Sequence, residues 1–333
     1  MPLTIRCAAL ELGFIDARPV TGHPFDVWRN RLKSVPLGNY MSFEHDPAKA
    51  SGWPLAEITL WVAIASTPPP PMEDWPDGCG EIGAFYMRSQ LLETRRAAWE
   101  DAAIALGYEI VRDVTLPERA AAIRAGFGVH GLNGLLITPD HGSFVNITVL
   151  LVHDTPPPDA RGPEYDLSPG CDKCGDCVKA CPTGAISEEG VNTLICLRNY
   201  ISKPESMPEE DYTKMGRRIQ GCDTCQKACP YNDTLKREQA PAELIGCMRL
   251  EKLLTTPDID LMSQYILSGY IPEYRVKTQA ALAAANTGAK DLLPHIQNLI
   301  GNENKMLDKA ARWAAERLGG AMPSNVIMEG RAE

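Results

Sequence analysis

The sequence CDKCGDCVKACP occupies residues 171–182, and the sequence CDTCQKACP occupies residues 222–230. Two residues separate successive cysteines at the start of the first segment, and a Cys-Pro pair closes both segments. This spacing is typical of a loop that gives three thiolates to one [4Fe–4S] cluster and a fourth to a second cluster. Zinc also binds Cys-x-x-Cys pairs, but zinc does not need three cysteines at a repeated gap followed by Cys-Pro. The pattern therefore predicts two [4Fe–4S] clusters.

Eight of the eleven cysteines are the predicted cluster ligands. Cluster one takes Cys171, Cys174, Cys177 and Cys229, and cluster two takes Cys181, Cys196, Cys222 and Cys225. In this assignment the last cysteine of each segment crosses to the other cluster. The remaining thiols, Cys7, Cys79 and Cys247, are expected to be small buried apolar side chains. A reactive thiol is the alternative for Cys79, which lies in a Gly-rich segment.

The composition is that of a globular protein with a net negative charge. The 333 residues suffice for two or three domains, and 44% of them are hydrophobic. A net charge of −10 and a pI near 5.2 argue against general affinity for nucleic acid, although a local basic face is compatible with them. We see no signal peptide, and the longest apolar run, residues 145–152, is too short to span a bilayer. We therefore expect a soluble cytoplasmic protein, in which thiols stay reduced rather than form disulfides.

Residues 1–165 are expected to form a mixed α/β domain. Apolar runs predict strands at residues 60–65, 108–111, 135–137 and 146–152, with a loop at 67–71 and a turn at 139–142. Helical spacing predicts helices at residues 89–106 and 116–125, with Pro117 in the first turn of the second helix.

A Pro-rich polar stretch at residues 154–169 marks a domain boundary. The cluster module is assigned to residues 166–235, and residues 236–333 are predicted to be helical. Apolar side chains recur at helical spacing in residues 292–300 and 307–318, after an Ala-rich run at 280–285. Short helices with short connections indicate a small repeat or bundle, which is too small to stand alone and should dock on the rest of the chain.

The segment GCDTCQKACPYN, residues 221–232, resembles the signature of the epoxyqueuosine reductase family. Three other places resemble the family as well: CPTGAI at residues 181–186, AGFGVHGLN at residues 125–133, and the tail at residues 275–318. The resemblance extends from about residue 110 to about residue 320 and is thin before that.

The resemblance implies a nitroreductase-like α/β domain that holds base-off cobalamin, a ferredoxin-like two-cluster module and a HEAT-like helical tail. It implies that electrons pass through both clusters to cobalt and reduce epoxyqueuosine in tRNA, or a related small organic substrate. An external donor such as flavodoxin or ferredoxin would supply the electrons, and we expect a monomer without membrane partners. The alternative functions are an electron-transfer protein that serves a separate corrinoid or redox partner, and a scaffold in which the clusters are structural.

The family's proton donor is matched by Asp113, although the segment around it, residues 112–119, is one residue shorter than in the family. A proton donor at this point needs a pKa that burial has raised. The alternative is an Asp that caps the helix predicted to begin near Leu116.

The resemblance places the cofactor contacts in the glycine loop and in the turn that follows it. The expected cofactor-binding residues are Gly126, Gly128, His130, Gly131, Asn133, Gly142 and Ser143. His130 replaces an apolar residue of the family and is either a cobalt ligand, a proton donor, a substrate contact or a loop histidine bonded to backbone. The Gly-x-Gly-x-x-Gly pattern does not predict a dinucleotide site, because it follows a helix and precedes a strand. An ordinary hairpin turn is the alternative for Gly142-Ser143.

Two further segments bear on the substrate. The family's Asp-Tyr-His motif is not found, and residues 85–89 stand near its place. The local basic clusters are Lys214, Arg217 and Arg218, and Lys236 with Arg237. They would meet RNA phosphates if RNA is the substrate, and the alternative is a solvated loop.

Overall fold

The computed structural model describes residues 4–33, 36, 43–71, 75–166 and 170–320. The strands in these ranges are β1 (Asp16–Thr21), β2 (Ile58–Ser66), β3 (Glu81–Ile82), β4 (Glu109–Val111), β5 (Val129–His130), β6 (Leu136–Ile137), β7 (Val145–His153) and β8 (Arg218–Gln220). The helices are α1 (Ile5–Glu11), α2 (Asp26–Leu32), α3 (Pro47–Ser51), α4 (Ser89–Ala105), α5 (Glu118–Arg124), α6 (Asp176–Ala180), α7 (Leu197–Ser202), α8 (Thr224–Lys227), α9 (Ala242–Cys247), α10 (Leu250–Thr255), α11 (Ile259–Ser263), α12 (Glu273–Thr287), α13 (Leu293–Gln297) and α14 (Lys305–Arg317).

An antiparallel sheet with the strand order β1-β2-β7-β4 forms the centre of the first half of the chain. Side chains of β2 alternate between its two faces, as the pleat of a strand requires. Leu60, Val62 and Ile64 enter the hydrophobic core that includes α5, whereas Ala63 and Ala65 enter the core formed with α1 and α4. Helices therefore cover both faces of the sheet, and the mixed α/β expectation is confirmed.

Most of the predicted elements of this half are present. The strands expected at residues 60–65, 108–111 and 146–152 and the helix at 89–106 are confirmed to within two residues at each end. The second helix begins at Glu118 rather than near Leu116, because a residue before proline is disfavoured in the α region. The turn at residues 139–142 is also present, but β6 before it pairs with β5 and β7 after it pairs with β2.

The cluster module consists of loops and short helices α6–α8, and it is tied to the first half of the chain by one strand pair. β8 runs parallel to β3, with Glu81 opposite Arg218. Part of the predicted boundary, residues 167–169, lies outside the described residues.

The helical tail packs around α12, whose Ala-rich run at residues 280–285 is buried, as its composition predicts. The tail has its hydrophobic core in common with residues 75–87, among them Trp75, Ile82 and Met87. This agrees with the expectation that so small a helical unit docks on the rest of the chain. Residues 321–333 of the predicted tail lie outside the described part.

Two of the three remaining cysteines are buried, as predicted, and burial raises the pKa of Cys79 and of Cys247. Cys7 is only half-buried, which corrects the expectation for it. No helix in the described ranges is both long and apolar enough to cross a membrane.

Candidate iron–sulfur and reduction site

The structure brings the eight predicted ligands together in the two expected groups of four. Burial, together with the neighbouring thiols of Cys171, Cys229 and Cys174, raises the pKa of Cys177. The same four cysteines line one small cavity of about 30 Å³ with Leu132 and Asn133. Four converging thiols match the donor set of a [4Fe–4S] cluster.

The second group gathers around Cys225, whose thiol has a pKa well above the usual value. Burial is the main cause, and the neighbouring thiols of Cys222, Cys196 and Cys181 add to it. Cys181 thus lies with the cysteines of the second segment, and Cys229 lies with those of the first. Crowded thiols with raised pKa values lose their protons when a metal cluster binds, so each group is suited to a cluster rather than to free thiols.

Unusual backbone conformations shape the loop of cluster one. Lys173, between the first two ligands, has a φ of 54°, and Gly175, after the second ligand, has a φ of 82°. The left-handed region is costly for a residue with a Cβ, so Lys173 holds a strained position that lets the loop turn tightly around its ligands.

Hydrogen bonds reach the sulfur atoms from neighbouring residues. The backbone N–H of Leu132 donates to Sγ of Cys171 over 3.3 Å, and Sγ of Cys222 lies 3.4 Å from Oγ1 of Thr224. Hydrogen bonds to ligand sulfur adjust the reduction potential of a cluster. The glycine loop of residues 126–133 therefore contacts Cys171, a predicted ligand of cluster one.

The glycines of this loop are required by contacts within the chain itself. A Cβ on Gly128 would lie 2.1 Å from the carbonyl oxygen of Ile137, and a Cβ on Gly126 would lie 2.0 Å from the guanidinium of Arg161. A Cβ on Gly131 would meet Oδ1 of Asn133 at 2.5 Å. The absence of side chains at these positions is thus explained by internal packing, and their predicted contact with a cofactor stays a prediction.

His130 lies on the same loop, with its ring edge-on to Trp28 at 5.0 Å between centroids. Burial lowers the pKa of His130 to about 4, and Arg31 and Arg119 act in the same direction. Its carbonyl oxygen accepts a hydrogen bond from the N–H of Cys171. A neutral ring at neutral pH is a poor proton donor, so this role of His130 is disfavoured.

Gly142 and Ser143 hold the second cysteine segment in place. The N–H of Ser143 donates to Oδ1 of Asn232 over 2.8 Å, and the Ser143 hydroxyl donates to Oε1 of Gln226 over 3.1 Å. Gly142 has a φ of 50°, and a Cβ there would lie 1.9 Å from Oδ1 of Asn232. The signature residues Gln226 and Asn232 therefore dock the cluster module on the α/β half.

Asp113, the predicted proton donor, is exposed and has a φ of 59° in the loop after β4. It does not cap the following helix, whose N-cap is Pro117 without a side-chain hydrogen bond. The capping alternative is therefore wrong.

Residues 85–89, near the place of the family's Asp-Tyr-His motif, lie beside the loops that carry the predicted cluster-two ligands Cys196 and Cys222. Nε of Arg198 donates to the hydroxyl of Tyr86 over 2.8 Å, and Arg198 lies two residues after the ligand Cys196. Gly221, next to the ligand Cys222, has a φ of 80°, and a Cβ on it would lie 2.5 Å from the Tyr86 ring. The ring of Tyr86 therefore packs directly on the loop that carries this ligand.

One acidic residue of this region received no role in the sequence analysis. Glu118 starts α5, and burial among surrounding protein groups raises its pKa to about 7, against the opposing charges of Arg119 and Arg96. The sequence places Glu118 in the segment that matches the family, but it carries no signal for the environment of the carboxyl.

The predicted basic cluster is largely occupied by contacts within the protein. Arg217 forms an ion pair with Glu81 over 2.7 Å. Arg218 donates to the carbonyl of Met215 and to the hydroxyl of Thr224. These two guanidinium groups stabilise the junction of β3 and β8, which favours the structural alternative for this segment.

The family model for a 4Fe–4S double cluster binding domain matches residues 170–232. The match includes all eight of the predicted ligand cysteines. The chain is therefore an iron–sulfur protein with a double-cluster domain, as its cysteine spacing predicts.

Curated relatives carry the comparison beyond this domain. The epoxyqueuosine reductase of Listeria monocytogenes is 28% identical over 94% of this chain and 88% of its own length. That of Bacillus cereus is 33% identical, but the match spans 62% of this chain and 55% of the relative. The solved epoxyqueuosine reductase of Bacillus subtilis has the same fold, with a TM-score of 0.77 at 22% identity, over 93% of this chain and 88% of that one. The chain is related to the epoxyqueuosine reductases, which confirms the resemblance inferred from its motifs.

Proposed function

We propose that the protein is a reductase that carries electrons through two [4Fe–4S] clusters and removes the epoxide oxygen from epoxyqueuosine in tRNA. The observation that carries this proposal is the pair of four-cysteine groups beside a half of the chain that is too large for a simple electron carrier. A solved epoxyqueuosine reductase holds an epoxyqueuosine-modified tRNA stem loop, and it has a TM-score of 0.75 to this chain. A related small organic substrate is the alternative within the same chemistry.

The arrangement of the clusters suggests the direction of electron flow. The Cys174 side of cluster one is exposed, and this makes cluster one the entry point for a reduced one-electron carrier such as flavodoxin or ferredoxin. Cluster two adjoins Arg198 and Tyr86 and delivers the electrons inside the protein. Two electrons and two protons convert the epoxide to a carbon–carbon double bond and water.

Cobalamin is the cofactor that the family resemblance implies, and the wall beside cluster two suits it. Tyr86 and Tyr270 pack edge-on there, with 5.1 Å between ring centroids. Aromatic rings suit the flat face of a large macrocycle. Tyr86 is only 6% exposed and packs behind Tyr270, so the partly exposed Tyr270 and Arg198 are the residues that would hold the cofactor. Bound there, cobalamin would supply a strongly reducing cobalt centre. The chain's own residues would exclude water, orient the substrate and deliver a proton.

On the same resemblance we assign a fold to the α/β half and to the helical tail. The α/β half is nitroreductase-like, and the helices from α9 to α14 are a HEAT-like tail. The expected divisions at residues 1–165, 166–235 and 236–333, the cytoplasmic location and the monomeric state stay predictions. So do the cofactor-binding roles of Gly126, Gly128, His130, Gly131, Asn133, Gly142 and Ser143.

Cobalt and corrin analysis of protein that is purified without oxygen and then supplied with cobalamin tests the proposal first. We expect near-stoichiometric corrin with a base-off spectrum. The loaded protein should then remove one oxygen atom from an epoxyqueuosine-modified stem loop, as measured by mass spectrometry. Iron and sulfide for two clusters without corrin binding would contradict the proposal and favour the electron-transfer protein.

A further inference from the structure

The hydroxyl of Thr224 lies between an arginine and the sulfur of a predicted cluster-two ligand. Nη2 of Arg218 donates to Oγ1 of Thr224 over 2.8 Å, and the same oxygen lies 3.4 Å from Sγ of Cys222. A threonine hydroxyl has a single proton to donate and two lone pairs that accept. Because Arg218 already donates to the oxygen, the hydroxyl proton is left to point at the sulfur.

The chemistry of a cluster ligand fixes the direction of this second hydrogen bond. A cysteine binds a metal as the thiolate, which has lost its proton. Sγ of Cys222 can then only accept, so the Thr224 hydroxyl is the donor. Arg218 thus donates to Thr224, and Thr224 donates to Cys222, in a chain that we call the Arg218–Thr224 relay.

Arg218 is held in the position that this relay needs. Its Nη1 donates to the carbonyl oxygen of Met215 over 2.8 Å. No carboxylate of the described residues forms an ion pair with Arg218. The carboxyl of Asp223 accepts instead from the backbone N–H of Ala84 and from the side-chain amide of Gln226. The charge of Arg218 is therefore not cancelled by an acidic partner, and it strengthens the hydrogen bonds of the relay.

The other hydrogen-bonding groups near ligand sulfur lack such a charge. Oγ1 of Thr183 lies 3.7 Å from Sγ of Cys181, and no arginine donates to this hydroxyl within the described ranges. At cluster one, the donor to Cys171 is the neutral backbone N–H of Leu132. Thr183 is therefore a matched control beside the same cluster, with the same side chain but without the cation.

The relay lines an open cavity of about 430 Å³, whose walls also include Cys222 and Lys227. Arg218 and Thr224 are both half-buried, so water reaches them. A smaller side chain at residue 224 would let a water molecule replace the hydroxyl, whereas valine fills the same volume with a methyl group. Thr224→Val is therefore the substitution that removes this hydrogen bond without replacing it.

We propose that Arg218 acts through Thr224 to raise the reduction potential of cluster two. Both are positioning residues, since they act on the cluster through Cys222. Reduction adds one electron and no proton, and the added negative charge spreads onto the ligand sulfurs, where the relay stabilises it. The electron comes from the reduced external carrier by way of cluster one, and no covalent bond forms or breaks. The proposal rests on the reductase function given above and names two residues that favour electron transfer from cluster one to cluster two.

A redox titration of the full chain with both clusters, followed by electron paramagnetic resonance, measures the two midpoint potentials. The signal that Cys181→Ser removes identifies cluster two. We expect Thr224→Val to weaken the reduction equilibrium of cluster two about three- to tenfold, which is a fall of about 30–60 mV for one electron. The potential of cluster one should not change. Thr183→Val should shift the equilibrium by less than about twofold, because its contact is longer and has no charged partner.

A double variant tests whether Arg218 acts through Thr224. Arg218→Met should also lower the potential of cluster two, and adding it to Thr224→Val should cause little further change. Additive shifts would overturn the relay, as would an unchanged potential in Thr224→Val or an equal shift in Thr183→Val. If Arg218→Met does not fold, the comparison of Thr224→Val with Thr183→Val decides alone. The titration needs no substrate, so an inactive wild type would remove the proposed reductase function and leave this result standing.

Discussion

Arg124 and Asp166 form a bidentate ion pair that is closed off from solvent. Nε and Nη2 of Arg124 donate to the two carboxylate oxygens over 2.8 and 2.7 Å, and the arginine side chain is 0% exposed. Arg124 also donates to the carbonyls of Thr21 and His23. The pair fastens the end of α5, and the glycine loop after it, to the segment that leads into the cluster module.

Removing one partner of this pair should be costly. Arg124→Met leaves the Asp166 carboxylate buried without its cation, and such a loss costs about 3–5 kcal/mol of the free energy of unfolding. Denaturant unfolding measures it. The matched control is Arg29→Met, which breaks the exposed ion pair with Asp26 and should cost no more than about 1 kcal/mol. Equal effects of the two substitutions would contradict the assigned role.

Gly142→Ala should weaken the docking of the cluster module. The new Cβ would lie 1.9 Å from Oδ1 of Asn232, so the hydrogen bonds between Ser143 and the second cysteine segment would break. The control is Gly107→Ala, where φ is 92° but no atom lies within 4 Å of the new Cβ. That substitution carries only the left-handed strain, about 1–2 kcal/mol. We expect a larger loss of stability and faster loss of iron in Gly142→Ala, and similar behaviour of the two variants would argue against the docking role.

The last cysteine of each segment is assigned to the cluster of the other segment, so replacing it should damage that other cluster. Cys181→Ser should damage cluster two, although Cys181 belongs to the first segment, and Cys229→Ser should damage cluster one. Electron paramagnetic resonance and iron content of the reduced protein report which cluster is altered. The control is Cys247→Ser, at a buried cysteine outside both groups. It should leave the signals of both clusters unchanged. Damage to the cluster of the same segment would exclude the crossed assignment.

The raised pKa of Glu118 also predicts a dependence of stability on pH. Because the pKa is near 7 in the folded protein and near 4.3 in an unfolded chain, the charged form is disfavoured by folding. The resulting loss of stability develops as pH rises from about 4.5 to about 7. Glu118→Gln should therefore be more stable than wild type at about pH 8, and the advantage should fade towards about pH 5. Thermal unfolding of both proteins at the two pH values measures this difference. A gain in the stability of Glu118→Gln that does not depend on pH would contradict the shifted pKa.

The cysteine spacing was sufficient to predict the double-cluster domain and the grouping of the ligands, because the geometry of a cluster is imposed by its metal and sulfur atoms. Strands and helices of the α/β half could also be predicted, since the apolar runs of strands and the helical spacing of apolar residues are local properties of the sequence. The pairing of β6 with β5 and of β3 with β8 was not predicted, because partners distant in sequence leave no local pattern.

The site residues also divide into those that the sequence identifies and those whose properties depend on tertiary structure. The three loop glycines were found by their motif, but their close neighbours Arg161 and Ile137 are contributed by other parts of the chain. Glu118 received no role from the sequence, because the desolvation that raises its pKa arises only in the folded chain. A motif gives the residue type, whereas only tertiary structure gives the protonation state.

Residues 75–87 and the helical tail form one hydrophobic core. This core can therefore form only after the tail has been synthesised. The cluster loops lie in sequence between the two parts of this core, so all eight ligand cysteines leave the ribosome before the helices that close it. Until α14 has emerged, the core between residues 75–87 and the helical tail is incomplete and open to solvent. In that interval the thiols are open to donors of iron and sulfide, which makes the order of synthesis as important to this protein as its final packing.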